Sequence, residues 1–107
     1  MEINIVKIDK SQQVPMDLLL LADPARDMVD DYVRRGHVFV ALQGDRIVGE
    51  YVLIETHPRT VEIVNIAVDE ACQGQGIGKK LVLHAIGAAR EMNARTIEIG
   101  TGNSSLM

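Results

Sequence analysis

Apolar and polar positions change their spacing several times along the chain, and each change predicts an element. Ile3, Ile5, Val6 and Ile8 within Glu2 to Asp9 make a β-rich opening run, closed by the polar stretch Lys10 to Gln13. From Val14 to Arg35 the spacing turns helical, with Leu18, Leu21, Met28 and Val33 among the apolar positions. Asp23-Pro24 divides that stretch: Pro suits the first turn of a helix, where its missing N–H is not needed, and Asp23 is placed to cap it. Two short helices are predicted, the second ended by Gly36.

Val38 to Gln43 and Ile47 to Glu55 are β-rich runs joined by Gly44-Asp45-Arg46, a linker with hairpin-turn residues, so they should pair antiparallel. After the turn His57-Pro58-Arg59 comes Val61 to Val68, apolar at nearly every position like a central strand covered on both faces. Ile77 to Asn93 is Ala-rich and helical, with Leu81, Ala85, Ala88 and Met92 on one face. Asn93-Ala94 ends it, and Thr96 to Ile99 is a last short strand. The expected order is β-αα-β-β-β-α-β, an α/β fold.

Composition narrows the function classes. The 107 residues suffice for one domain and one core, and 47% hydrophobic with 24% charged residues is the balance of a folded protein. Tyr32, Phe39 and Tyr51 are the whole aromatic complement, too few for base-stacking platforms. A formal charge of -4 argues against nucleic acid and anionic membranes as partners, because both are bound by neutralising phosphates. Cys72 is the single cysteine and no Cys/His spacing resembles a metal site, so no intrachain disulfide and no metal are expected, and a reducing cytoplasmic setting fits. The longest apolar stretch, Leu18 to Ala22, is too short to span a bilayer.

The segment richest in chemistry runs from Val68 to Lys80, where Gly74, Gly76 and Gly78 alternate directly before a helix. Glycines there let the backbone curl until several N–H groups point at one spot, and the helix dipole favours an anion at that spot. Lys79 and Lys80 in the first helical turn are unfavourable for the dipole unless an anion sits nearby. The pattern is that of a pyrophosphate cradle. A Walker loop would need Gly at position 73 and Ser or Thr at position 80, which are Gln73 and Lys80. A dinucleotide fingerprint starting at Gly74 would need its third glycine at position 79, which is Lys79.

Gln73-x-x-Gly76-x-Gly78 resembles the Gln/Arg-x-x-Gly-x-Gly/Ala signature of GNAT acetyltransferases, and Asn65-Ile66-Ala67-Val68 before it is similar to that family's fourth strand. The element order agrees, so the resemblance covers essentially the whole chain. It implies the GNAT fold, a mixed and mostly antiparallel sheet flanked by helices, and acetyl-CoA as cosubstrate. By the same resemblance, backbone amides of Gln73, Gly74, Gln75, Gly76, Ile77, Gly78 and Lys79 would hold the pyrophosphate, and the backbone of Ile66, Ala67 and Val68 would pair with the pantetheine arm. The family's fourth strand carries a bulge and splays from the fifth, so an amide near Val68 could hydrogen-bond the thioester oxygen. Asn103 matches a family Asn that contacts cofactor or orders water.

A neutral amine attacks a thioester directly once the two are aligned, so no enzyme nucleophile is required, but the ammonium must first lose a proton. Glu62 resembles, by its position relative to the glycine motif, the base of histone-acetylating members. A solvated Glu sharing a strand face with Val64 accounts for Glu62 equally well, and both readings stand at this point. Glu50 and Glu55 are secondary candidates for the same task. His37, His57 and His84 lack metal-like spacing and read as structural or solvated, and Cys72 as a small packing residue. Asp23, Asp27, Asp30 and Asp31 fall where the family's first two helices wall the acceptor site, but a solvated, capped helix face explains them better.

Family members continue past the Asn with a helix carrying a Tyr and with closing strands, whereas this chain ends at Met107 and its last Tyr is Tyr51. Residues 1–107 are therefore expected to be a single partial domain, with the edge of Thr96 to Ile99 open to pairing as a homodimer. The expected activity is N-acetyl transfer to an amine of a small molecule or protein. A non-catalytic CoA-binding or dimerisation module is the alternative, and a nucleotide-binding domain using the same loop is a second one.

Overall fold

The computed structural model describes residues 2–9 and 11–99. Its elements are β1 (Asn4–Lys7), α1 (Met16–Ala22), α2 (Arg26–Arg35), β2 (His37–Gln43), β3 (Arg46–His57), β4 (Thr60–Val68), α3 (Ile77–Glu91) and β5 (Thr96–Ile99). The five strands form one sheet in the order β1-β2-β3-β4-β5. All neighbours are antiparallel except β4 and β5, which are parallel. A parallel pair needs a crossover, and α3 supplies it. The expected order and the mixed, mostly antiparallel sheet are thus what the chain adopts.

Local chemistry explains the joints. Gln43 pairs with Arg46 across a tight turn in which Gly44 takes φ +62°. His57 pairs with Thr60 around Pro58 and Arg59. Asn93 adopts φ +61° just past α3, the left-handed conformation in which Asn is tolerated after a helix. Gly36 has a different cause: a Cβ there would lie 2.6 Å from the Leu53 carbonyl oxygen and 2.7 Å from Ile54 Cγ2, so only glycine lets α2 close onto β3.

Two apolar clusters occupy the two faces of the sheet. Under α3, Leu53, Ile63, Leu81 and Ala85 pack with Phe39 and Tyr51. Under α1 and α2, Leu19, Val29, Tyr32, Val38, Val52 and Ile54 close the other face. Each such side chain taken fully out of water contributes roughly 1.5–3 kcal/mol. β4, covered on both sides as expected, carries a bulge: Val52 pairs with Asn65 and Leu53 with Ile63, which leaves Val64 as the extra residue. Val64 and Asn65 consequently both turn toward α1 and α2, while Ile66 packs on the α3 side.

Within the helical stretch Leu19, Val29 and Tyr32 form the buried face, while Leu21 and Met28 are 49% and 56% exposed. One expectation is corrected there: Asp23 does not cap α2 directly. The helix starts at Arg26 with Ala25 as its cap, while the Asp23 carboxylate accepts the Ala25 N–H at 3.1 Å and the Tyr32 hydroxyl at 3.2 Å. A short side chain that can satisfy backbone N–H groups two residues on stabilises a turn in place of a helix start.

Candidate functional site

Beyond β4 the chain makes a 3-10 turn, Glu70–Cys72, which the sequence pattern did not reveal. Its signal was Asp69, whose carboxylate accepts the Ala71 N–H at 2.9 Å. The turn delivers Gln73, whose side-chain amide donates to the Val68 carbonyl at 3.2 Å and braces the loop against the strand end. Gly74 and Gly76 then take φ +81° and +82°, which a residue with a Cβ adopts only under strain. Nothing lies within 4 Å of where a Cβ would stand at either position. The space they keep open is outside the protein.

The N–H groups of this loop are the central observation. The Gln73 N–H is directed at the Glu70 carbonyl at 3.4 Å, a long contact, and the first α-helical bond runs from the Lys80 N–H to the Gly76 carbonyl at 3.1 Å. Between them, no acceptor among the described residues takes the N–H groups of Gly74 through Lys79. These donors sit at the start of α3, a helix of 15 residues, so the positive end of its dipole adds to them. Lys79 and Lys80 are exposed beside them. Backbone donors, dipole and two ammonium groups aimed at one place can hold a polyanion.

A cleft of about 520 Å³ begins at this loop and runs along β4 to α1. Ile66, Ala67 and Val68 line it with Gln73, Gly74, Gly76, Ile77 and Gly78, and Leu21 and Ala22 of α1 form the far wall. Leu21, exposed and apolar, suits that wall. Gln75 and Lys79 belong to the loop but do not line the cleft. Asn103 lies outside the described residues. The described β4–β5 pairing runs from Thr60–Thr96 to Ile63–Ile99, short of Ile66.

Glu62 sits four residues before Ile66, roughly 13 Å along the strand, on the face of α1 and α2. It is half-buried and pairs across the sheet with Glu98. Burial first and the Glu98 charge second push its carboxyl above the ordinary range. Glu55 is exposed at the end of β3. Glu50 is the surprise: it is fully buried, and neither carboxyl oxygen has a hydrogen-bond partner. Burial pushes its carboxyl up to about 8. Its signal in the sequence was a lone Glu inside the apolar run Ile47 to Ile54, a strand buried on both faces.

The remaining polar residues have structural roles. His84 Nδ1 lies 2.8 Å from the Tyr51 hydroxyl, and Tyr51 stacks on Phe39 with centroids 4.6 Å apart. Asp30 and Asp31 pair with Arg26, Arg34 and Arg35 on the exposed side of α2. Cys72 is buried in the α3 cluster as a free thiol. No group of metal-ligating side chains occurs among the described residues, and no described helix is long and apolar enough to cross a membrane.

A strand, a glycine turn with free amides and a helix, set in this strand order, define an acyl-CoA acetyltransferase architecture. The sequence profile of the Acetyltransferase (GNAT) family matches residues 8–106, and the chain belongs to that family. It is 60% identical over 90 residues to the uncharacterized N-acetyltransferase YvbK of Bacillus subtilis (strain 168), and that match covers 84% of this chain and 58% of YvbK. Among solved structures it is similar to an IAA acetyltransferase from Bacillus cereus ATCC 14579, with 50% identity and a TM-score of 0.91 over 98% of this chain and 69% of that one. A Bacillus subtilis acetyltransferase in complex with CoA is 52% identical, with a TM-score of 0.89 over 98% of this chain and 69% of that one. A GNAT family acetyltransferase from Elizabethkingia anophelis with acetyl-CoA bound is 41% identical, with a TM-score of 0.91 over 97% of this chain and 68% of that one.

Proposed function

We propose that this chain is the acetyl-CoA-binding part of an N-acetyltransferase that acetylates an amine of a small molecule or a protein. The observation that supports it most is the run of N–H groups from Gly74 to Lys79 without an acceptor among the described residues, at the head of α3 and the mouth of the cleft. Those amides receive the pyrophosphate, and Lys79 and Lys80 add charge. The backbone of Ile66, Ala67 and Val68 meets the pantetheine arm as an added strand would, and an amide near Val68 polarises the thioester oxygen. The cosubstrate supplies an acyl group activated as a thioester. Family relatives with CoA and with acetyl-CoA bound support the choice of cosubstrate. Asn103 is retained as a cofactor contact.

Alignment of amine and thioester provides most of the acceleration. Glu62 takes the proton of the incoming ammonium, for which its raised carboxyl is suited. The reading includes a cytoplasmic setting, consistent with the free thiol of Cys72. It also includes a homodimer that pairs on the outer edge of β5, the end strand of the described sheet. Calorimetry with acetyl-CoA, followed by thiol release over a panel of amines, tests the activity. Binding with turnover is expected. Binding without turnover would favour a CoA-binding module, and absence of binding would defeat both.

A further inference from the structure

Glu50 and Asn65 stand out among the buried side chains. Glu50 is 0% exposed and Asn65 is 4% exposed, and three of their oxygens, Glu50 Oε1, Glu50 Oε2 and Asn65 Oδ1, have no partner. Leaving such groups without partners costs about 1–3 kcal/mol each, and a native fold keeps them only for a reason.

The sheet register brings them together. Glu50 lies opposite Ala67 and Val52 opposite Asn65, so the two polar residues are diagonal neighbours on one face, about 7–8 Å apart at Cα. Asn65 is held firmly: its Nδ2 donates to the Leu19 carbonyl at 2.9 Å and to the Tyr32 hydroxyl at 2.7 Å, which leaves Oδ1 as the open acceptor. Ala67, directly across from Glu50, lines the cofactor cleft. The cluster therefore borders the site through one small side chain.

We propose that Glu50 is the proton donor to the departing CoA thiolate, acting through a water held between its carboxyl and Asn65 Oδ1. This rests on the acetyltransferase reading. A buried water needs two to four polar partners, and the orphaned oxygens supply them. Burial keeps Glu50 protonated at neutral pH, with about 8 as its midpoint. Among the described residues no basic side chain opposes this. β2 presents Val40 opposite Glu50, α1 presents Leu19, and α2 presents Tyr32, whose hydroxyl bonds Asp23; Glu62 is the further acid on the same face. Two carboxyls in different settings divide the work, Glu62 as base and Glu50 as acid.

The protons balance. The ammonium loses its first proton to the Glu62 carboxylate, and the amine forms the C–N bond. As the C–S bond breaks, the water gives a proton to the thiolate and takes one from the Glu50 carboxyl. The second nitrogen proton leaves to solvent, from which Glu50 is restored, and Glu62 releases the first proton to solvent to return as a carboxylate. Acetamide, free thiol and one net proton result, with no further reactant.

The test has two arms on the full chain. A crystal structure with CoA should show an ordered water bonded to Glu50 and Asn65 Oδ1 and within reach of the sulfur. Apolar side chains closing Glu50 off from the sulfur would overturn the inference, and an empty cleft at saturating CoA would overturn the acetyltransferase reading itself. With spermidine, kanamycin and a lysine peptide as acceptors, Glu50→Gln should lower kcat by about a hundredfold, leave the CoA Kd within about twofold, and abolish an alkaline fall in kcat centred near the Glu50 midpoint. An unchanged kcat or a surviving alkaline limb would also overturn it. Should Glu50→Gln not fold, the CoA complex of the unaltered chain still decides.

Discussion

Beneath α3, the Tyr51 hydroxyl and His84 Nδ1 meet at 2.8 Å, whereas beneath α1 and α2 the Glu50 carboxyl and Asn65 Oδ1 find no hydrogen-bond partner among the described residues. Glu50 and Tyr51 are neighbours on β3, both fully buried, and they face opposite sides of the sheet. The α3 face is finished by the protein's own atoms: Phe39 stacks on Tyr51, the Tyr51 hydroxyl and His84 Nδ1 share a hydrogen bond, and burial pushes the Tyr51 phenol up. The α1/α2 face leaves acceptors open next to the cleft. Complete satisfaction marks scaffold, and incompleteness bordering a cavity marks the place that works on a ligand.

The largest expected effect tests the scaffold side. Leu81→Ala, fully buried under α3, should cost about 2–5 kcal/mol in denaturant unfolding, from lost transfer energy and the cavity left behind. A loss below about 1 kcal/mol would mean that the α3 face is more loosely packed than described.

Glu50→Gln should act with the opposite sign on stability. A carboxyl raised in the folded state is fully tolerated below its unfolded value, and stability is lost as pH climbs toward the folded value of about 8. The Gln variant cannot ionise. Its advantage should therefore be absent below the ordinary Glu value and grow by at most about 1.4 kcal/mol per pH unit until the Glu50 midpoint. A variant that is more stable yet slower would separate function from structure. An advantage that stays flat with pH would contradict the raised carboxyl.

Tyr51→Phe should cost about 1–2 kcal/mol, because it strands His84 Nδ1, and should leave CoA affinity unchanged. A large change in CoA affinity would break the division between the two faces. Smallest of all, Arg46→Ala removes an exposed pair with Asp69 at 3.2 Å and should cost under about 1 kcal/mol.

Much of this was legible beforehand, and the exceptions have physical causes. The order of elements along the chain, the α3 face and the glycine loop followed from period and turn residues, because a 15-residue amphipathic helix and alternating glycines leave few alternatives. Which apolar side chains of α1 are buried was not legible, because a helix of 7 residues has too few turns to fix its buried side by spacing. The bulge at Val64 has no composition signal, yet it is what turns Asn65 toward Tyr32. Glu50 was visible only as a secondary base candidate, since its burial depends on α1 and α2 closing over β3. Glu62 and the loop residues were named from the family motif, and the structure adds their surroundings rather than their roles.

The most direct measurement follows the amide resonances of the chain by nuclear magnetic resonance while CoA is added. The account predicts that Gly74 through Lys79 move first and furthest, with Ile66 to Val68 following and the Tyr51–His84 region still. CoA bound elsewhere, with the loop resonances unmoved, would contradict it.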